Sequence, residues 1–322
     1  MNKTILMTIN ELYVDQLAVA LTSLFKHNPD EHVTLVATVG TAHIDELIAM
    51  ECFKGQVDVK YVTPFDTSWF PNGTFSAKTI EGMCLRLQAL DMLMEERPEL
   101  DRVLYLDSDI VVTKSIGGVW GGPIDNHFVA AALDYPSLPS LFQVYKNHSD
   151  WGRRIGINRN YFNSGVMLLN MKKIRARYRG IIAEGFKEMY DGTWLLPDQD
   201  YLNIILTEGC PSVILPKCFN WMYEMQVPAD LSASMLLNGR REGLQVAHLW
   251  HYAGTYKPWA LYHNLLLPSE RFTQIRFDIY HKACEEAAEM TDGRFPRPLF
   301  RQIVQNNHET FKFIGLMVGD LV

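Results

Sequence analysis

Residues 102–113, RVLYLDSDIVVT, limit what this chain can fold into more than any other stretch. Val103, Leu104, Tyr105 and Leu106 form the short unbroken apolar run of a strand covered on both faces, as in a parallel sheet with helices on either side. The run ends in Asp107-Ser108-Asp109. Open α/β sheets bind ligands in the crevice beyond the carboxyl ends of their strands, and alternate residues of an extended segment share a face. Asp107 and Asp109 are therefore candidates to converge on a hard divalent cation, although a turn closed by an Asx hydrogen bond accounts for the same pair.

Around that stretch the pattern alternates strand with helix. Strands are predicted at 5–9, 33–39 and 57–62, with helices at 15–26 and 42–53 between them, a βαβαβ opening. A helix over 78–96 is apolar on two sides, through Ile80, Met83, Leu87, Leu90 and Met94 on one and Leu85, Ala89 and Met92 on the other, so burial is expected. Arg86 lies inside it and needs an anionic partner, an ion pair or a ligand. Further strands are predicted at 128–133 and 165–170. Between them, residues 136–160 are polar and aromatic without periodicity, as expected of a long functional loop with short helices. From residue 268 the texture changes to two charged helical patterns, 270–289 and 299–322, separated by a turn-rich break at 292–298. They are expected to form an appendage on a main domain spanning 1–267.

The 322 residues, 48% apolar and 21% charged, have the balance of an ordinary globular protein. A net charge of -7 argues against a nucleic-acid binder, which needs clustered cationic charge. The apolar run at 4–9 is too short for a signal peptide, and no later segment reaches the roughly 18 uncharged residues of a membrane span. Five cysteines without a Cys-x-x-Cys pair fit reduced thiols in a cytoplasmic protein.

Three other clusters bear on chemistry. In NYFNSGVMLLNMKKIR (160–175), Asn163, Ser164 and Gly165 precede a buried strand, where amide and hydroxyl groups suit sugar hydroxyls and equally suit a turn. In LPDQDYLN (196–203), Asp198, Gln199 and Asp200 open a helix, a position that favours carboxylates for capping reasons alone. In HLWHYAGTYKPW (248–259), His251 is a metal-capable imidazole, Gly254 permits close backbone approach, and Lys257 is a cation suited to phosphate. A structural aromatic loop is the competing reading of the last.

Taken in order over 3–261, YLDSDIVV, NYFNSGVMLLNMKK, LPDQDYLN and HYAGTYKPW resemble the family 8 glycosyltransferases, retaining enzymes of the GT-A fold. The resemblance implies a mixed, mostly parallel Rossmann-like α/β sheet flanked by helices, with the C-terminal helical appendage outside it. It implies Mn²⁺ (or Mg²⁺) on Asp107, Asp109 and His251, and a nucleotide-sugar donor, usually UDP-hexose, whose phosphates meet Gly254 and Lys257. Arg86, Asn163, Asp198 and Gln199 match positions around the donor sugar, with Gln199 near the anomeric carbon and Asp198 or Asp200 a possible covalent route. Thr8, Asn10, Tyr13 and Ser108 complete the expected nucleotide contacts. Many relatives carry an acidic Asp-Asp-Asn-Tyr-like stretch after the first strand; this chain has Asn10, Glu11, Leu12 and Tyr13, so an amide oxygen takes the place of a carboxylate toward the base. A nucleotidyltransferase would instead need a Gly-rich basic loop after the first strand, which TINELYVDQ lacks. A silent carbohydrate-binding protein would tolerate loss of the metal and phosphate ligands, and all are present. The acceptor is expected to contain carbohydrate, and a homo-oligomer remains open.

In the appendage, Phe300, Ile303, Val304, Phe311, Ile314, Met317 and Val318 describe one apolar helix face, interrupted at Asn306, Asn307 and His308. Its cations Arg294, Arg297, Arg301 and Lys312 are diluted by Glu309 and Asp320. Packing against the main domain or a second copy is expected in preference to peripheral membrane contact.

Overall fold

The side chains of β1 (Lys3–Ile9) and β4 (Arg102–Leu106) alternate between two separate cores. Ile5, Met7, Ile9, Leu104 and Leu106 join Leu17, Leu21 and Leu24 of α1 (Val14–His27) on one face of the sheet. Leu6, Val103 and Tyr105 join Leu85, Leu90 and Leu93 of α3 (Ala77–Glu96) on the other. Because both faces are covered, the strands read as unbroken apolar runs, and each fully buried aliphatic side chain contributes about 2 kcal/mol relative to exposure. The computed structural model describes residues 1–39, 42–70, 76–134, 161–190, 192, 194, 196–222, 246–253, 257–260 and 270–319, with backbone only at 270–275 and 310–319. The loop expected at 136–160 and Gly254 lie outside the described residues.

With β2 (Val33–Thr38), β3 (Val57–Val62), β6 (Val129–Leu133), β7 (Phe162–Asn170) and β8 (Val213–Ile214), the main sheet runs β3-β2-β1-β4-β7-β6-β8. Its pairings are parallel except for β7, which is antiparallel to β4 and β6. This is the mixed, mostly parallel α/β sheet that the sequence predicts.

Three elements depart from expectation. β7 starts at 162 and not at 165, so Asn163, Ser164 and Gly165 lie inside the strand; Asn163 accepts locally from the Gly165 N–H, and the Ser164 side chain bonds to Arg86 and Gln199 outside the sheet. α2 (Ala42–Ile48) stops short of 53, but Met50 and Phe53 remain buried in the following turns and keep the apolar periodicity that suggested a longer helix. Residues 110–112 separate from β4 as β5 (Ile110–Val112), which forms a small antiparallel sheet with β9 (Leu249–His251).

The two C-terminal helices, α8 (Glu270–Met290) and α9 (Pro298–Gly319), form a hairpin against α1 and β5. Tyr280, Cys284, Ala287 and Val304 share a core there with Val19, Val111, Trp250 and Tyr252. At the start of α9, the Arg297 backbone and guanidinium both donate to the buried Asp15 carboxylate (2.6–3.2 Å). The side chains of Phe311, Ile314, Met317 and Val318 lie outside the described residues. Among the described residues, no helix is long and apolar enough to cross a membrane.

Candidate active site

Strand register brings the expected ligands together. β9 pairs with β5 so that His251 faces Ile110, and the Tyr252 N–H donates to the Asp109 carbonyl (2.9 Å). The Asp107 N–H donates to Gly165 of the antiparallel β7 (2.8 Å). Asp107, Asp109 and His251 consequently each offer one ligand atom within 4.8 Å of the others. A Cβ on Gly165 would lie 2.2 Å from His251 Cε1 and 2.7 Å from Asp107 Oδ2, so only glycine lets β7 pass this close.

Backbone groups fix the tautomer of His251. Asn163 accepts from the Gly165 N–H (3.0 Å), a group that can only donate, so the Asn163 atom at that point is its oxygen. The same oxygen accepts from Asn220 Nδ2 (3.0 Å), which turns the Asn220 oxygen to His251 Nδ1 (2.9 Å). Nδ1 therefore carries the hydrogen and Nε2 presents a lone pair, 3.2 Å from Asp109 Oδ1 and 3.6 Å from Asp107 Oδ2. Asp109 Oδ1 is buried and has no aligned donor. Three acceptors facing one another in a buried corner, two carboxylates and an imidazole, fit a divalent cation.

Two cations border the corner. Lys257 Nζ donates to Asp109 Oδ2 (2.5 Å) and to the Tyr252 carbonyl. Burial favours the neutral acid of Asp109, but the Lys257 ammonium outweighs it and holds the carboxyl far below the ordinary range. Arg86 is ion-paired to Asp107 (3.0 Å) and Asp198 (3.0 Å), and also donates to Ser164 Oγ (2.8 Å). Burial opposes its charge, while Asp107, Tyr105, Asp198 and Asp109 more than compensate and push its pKa upward. Burial raises the Asp198 carboxyl above its usual range, with Arg86 pulling the other way.

The sequence reading places Asp198, Gln199 and Asp200 at a helix start, and they occupy the first turn of α7 (Pro197–Thr207). Gln199 Oε1 accepts from the Ser164 N–H (2.9 Å), which turns its NH₂ to Asp134 (2.6 Å) and Tyr161 (3.0 Å). Asp200 is fully buried and accepts from Tyr161 OH (2.6 Å) and the Leu196 N–H (3.1 Å). One oxygen thus ties the helix start to the residue that precedes β7, and the other closes on the helix's own N-cap residue.

Next to the corner, a cavity of about 260 Å³ is lined by Thr8, Asn10, Tyr13, Arg86, Asp107, Ser108 and Asp109, among others. Thr8 and Asp107 are joined through Tyr105 OH (3.0 and 2.8 Å). The Tyr13 hydroxyl pKa is pushed up to about 12 by burial and by Asp109 and Asp107. Asn10 also has a structural role: its oxygen caps the Leu12 N–H (3.1 Å) and its NH₂ donates to the Lys78 carbonyl (2.9 Å), so the amide joins the end of β1 to α3.

Sequence reasoning missed Tyr105, Asp134, Tyr161 and Asn220. Asp134 was findable, because it follows the apolar strand 128–133 as Asp107 follows 103–106, and β6 runs parallel to β4 through the intervening β7. Asn220 carries no such signal.

Two aspartates, a histidine, a lysine and an arginine gathered at the carboxyl end of a mostly parallel sheet, beside a cavity, fit the class of GT-A folds. Within it, the chain belongs to glycosyl transferase family 8, whose profile matches residues 4–262. It is similar to lipopolysaccharide 1,2-glucosyltransferase of Escherichia coli K12, 28% identical over 56% of this chain and 49% of that protein. General stress protein A of Bacillus subtilis is 26% identical over 60% of this chain and 64% of that protein. The chain thus spans between about half and two thirds of these curated relatives. Among solved structures, the galactosyltransferase LgtC with donor and acceptor sugar analogues aligns over 87% of this chain and 95% of its own, with 23% identity and a TM-score of 0.59. That likeness concerns the fold.

Proposed function

We propose that this protein transfers a hexose from a UDP-sugar to a carbohydrate-containing acceptor with retention at the anomeric carbon, and that Mn²⁺ or Mg²⁺ is bound by Asp107, Asp109 and His251. The observation that carries this reading is the corner of three unpaired acceptor atoms, with Lys257 and Arg86 beside it and the cavity adjoining. The bound cation supplies Lewis acidity to the diphosphate. Lys257 adds positive charge where the leaving group accumulates negative charge, and such preorganised electrostatics is usually the largest catalytic contribution. Thr8, Tyr13 and Ser108 line the space for the nucleoside, with Gly254 and Lys257 at the phosphates. Asn163, Asp198 and Gln199 stand at the donor sugar, Gln199 held by Ser164, Asp134 and Tyr161 and Asp198 by Arg86.

Retention fits attack on the face from which the diphosphate departs. Asp198 is held by Arg86, and both oxygens of Asp200 are engaged, so neither carboxylate stands ready as a covalent nucleophile. The leaving phosphate is then the base that takes the acceptor's proton.

The test is slow hydrolysis of a panel of UDP-, GDP- and dTDP-sugars by the purified protein with Mn²⁺, Mg²⁺ or excess chelator. Metal-dependent release of UDP from one UDP-hexose is expected. Equal turnover after exhaustive chelation would sink the metal assignment, and turnover confined to GDP- or dTDP-sugars would sink the donor.

A further inference from the structure

We propose that Asn307, in the C-terminal hairpin beyond the family match, is a positioning residue for Lys257: it holds the turn from which the lysine reaches the diphosphate end of the site. This rests on the donor reading above. Asn307 Nδ2 donates to two carbonyls at once, those of Pro258 (2.8 Å) and Ala260 (2.9 Å). The Ala260 N–H closes the same turn onto the Lys257 carbonyl (3.0 Å). One primary amide thereby satisfies two backbone acceptors of a segment that begins at Lys257. Alanine would satisfy neither, and aspartate would set oxygens against the carbonyls.

The hairpin grips the same turn through Trp259. Its ring lies 4.8 Å from Tyr280 of α8 and 6.2 Å from Phe300 of α9, centroid to centroid. In the amide orientation that satisfies its neighbours, Gln16 of α1 accepts from Trp259 Nε1 (2.9 Å) and donates to the Tyr13 carbonyl (3.3 Å). The Arg297–Asp15 pair fixes the start of α9 two residues beyond Tyr13. The break in the apolar face of α9 at Asn307 is thus explained by what the amide holds. Lysine has a long and pliant side chain, so the placement of its backbone decides where Nζ can go, here to Asp109 Oδ2.

The test compares Asn307→Ala and Asn307→Asp with Gln305→Ala. Gln305 bonds to His281 across the hairpin (2.6 Å), so its loss perturbs the same helix pair without touching the turn. Binding of UDP in saturating Mn²⁺ is measured by calorimetry, Mn²⁺ alone by electron paramagnetic resonance, and folding by circular dichroism. Both Asn307 variants are expected to weaken UDP by about threefold to tenfold, the range for one lost hydrogen-bonding group. Mn²⁺ affinity should stay unchanged, and Gln305→Ala should leave both affinities as they are. Unchanged UDP affinity in the Asn307 variants overturns the proposal, as does an equal loss in Gln305→Ala. Loss of the fold in both Asn307 variants also overturns it, because Asn307 would then serve the whole structure and not this turn. Wild-type protein that binds no UDP with Mn²⁺ would instead overturn the donor reading.

Discussion

At the metal corner, the orientation of Asn163, Asn220 and His251 descends from one backbone N–H, that of Gly165, and Asp107 is held by Arg86 and Tyr105. At the other end of the cavity, the Asn10–Tyr13 segment is held by the Asn10 amide, a Tyr13 N–H bond to the Asn10 carbonyl and Gln16, with Leu12 51% exposed and an exposed Lys78–Glu11 ion pair at the rim. The first end holds two carboxylates in low dielectric, Asp107 paired with Arg86 and Asp109 with Lys257, which is tolerable only where every neighbouring group is fixed. On the proposed reading the second receives a neutral ring, for which surface and shape suffice. Single substitutions should therefore cost most at the corner and progressively less toward the base end.

The largest effect is expected for Asp109→Asn. The change is nearly isosteric but removes a ligand and the partner of Lys257, so transfer should fall by about a thousandfold or more while the circular dichroism spectrum is kept. Near-normal rates would remove Asp109 from the ligand set. Next comes Gly165→Ala, whose methyl group meets His251 and Asp107 below van der Waals distance. Mn²⁺ affinity should drop by about a hundredfold in a paramagnetic-resonance titration; an unchanged affinity would mean that β7 can move away and that the corner is less rigid than its hydrogen bonds imply. Asn220→Leu keeps the volume but frees the imidazole to rotate or change tautomer, and a loss of about tenfold in Mn²⁺ affinity is expected by the same titration. If Asn220→Leu cost as much as Asp109→Asn, orientation would matter as much as ligation.

How much of this was legible in sequence follows the same division. Asp107 and Asp109 stood out because a strand end is written in local composition, and the order of the four motifs carried His251, Lys257, Asp198 and Gln199 with them. Asn220 was invisible, since its role depends on β9 pairing with β5 some 140 residues away in the chain (Ile110 with His251). Asn163 and Ser164 suit a turn equally well because an asparagine that accepts from the N–H two residues on does so in a turn and, as here, inside a strand. The α/β alternation and the two terminal helices were legible from periodicity alone. The hydrogen bonds of Asn307 were not, because an amide that breaks an apolar helix face looks like weakness until its partners are known.

Asn10→Asp should produce the smallest effect and bears most directly on the base end. The Asn10 amide both accepts, from Leu12, and donates, to the Lys78 carbonyl; aspartate can keep the first bond but not the second, and it sets a carboxylate oxygen against a carbonyl. The loss of one such bond costs about 1 kcal/mol, so the melting temperature should fall by about 2 °C in a calorimetric scan. Aspartate also restores the carboxylate that many relatives carry, and an oxygen released from Lys78 would be available to a base N–H. The two changes oppose each other, so UDP affinity should stay within about threefold of the wild type, by calorimetry in saturating Mn²⁺. A gain well beyond threefold would mean that the pocket is short of an acceptor and that Asn10 restrains donor binding for the sake of the β1–α3 link. A loss of the size expected at Asn220 would mean that this end is built as tightly as the metal corner.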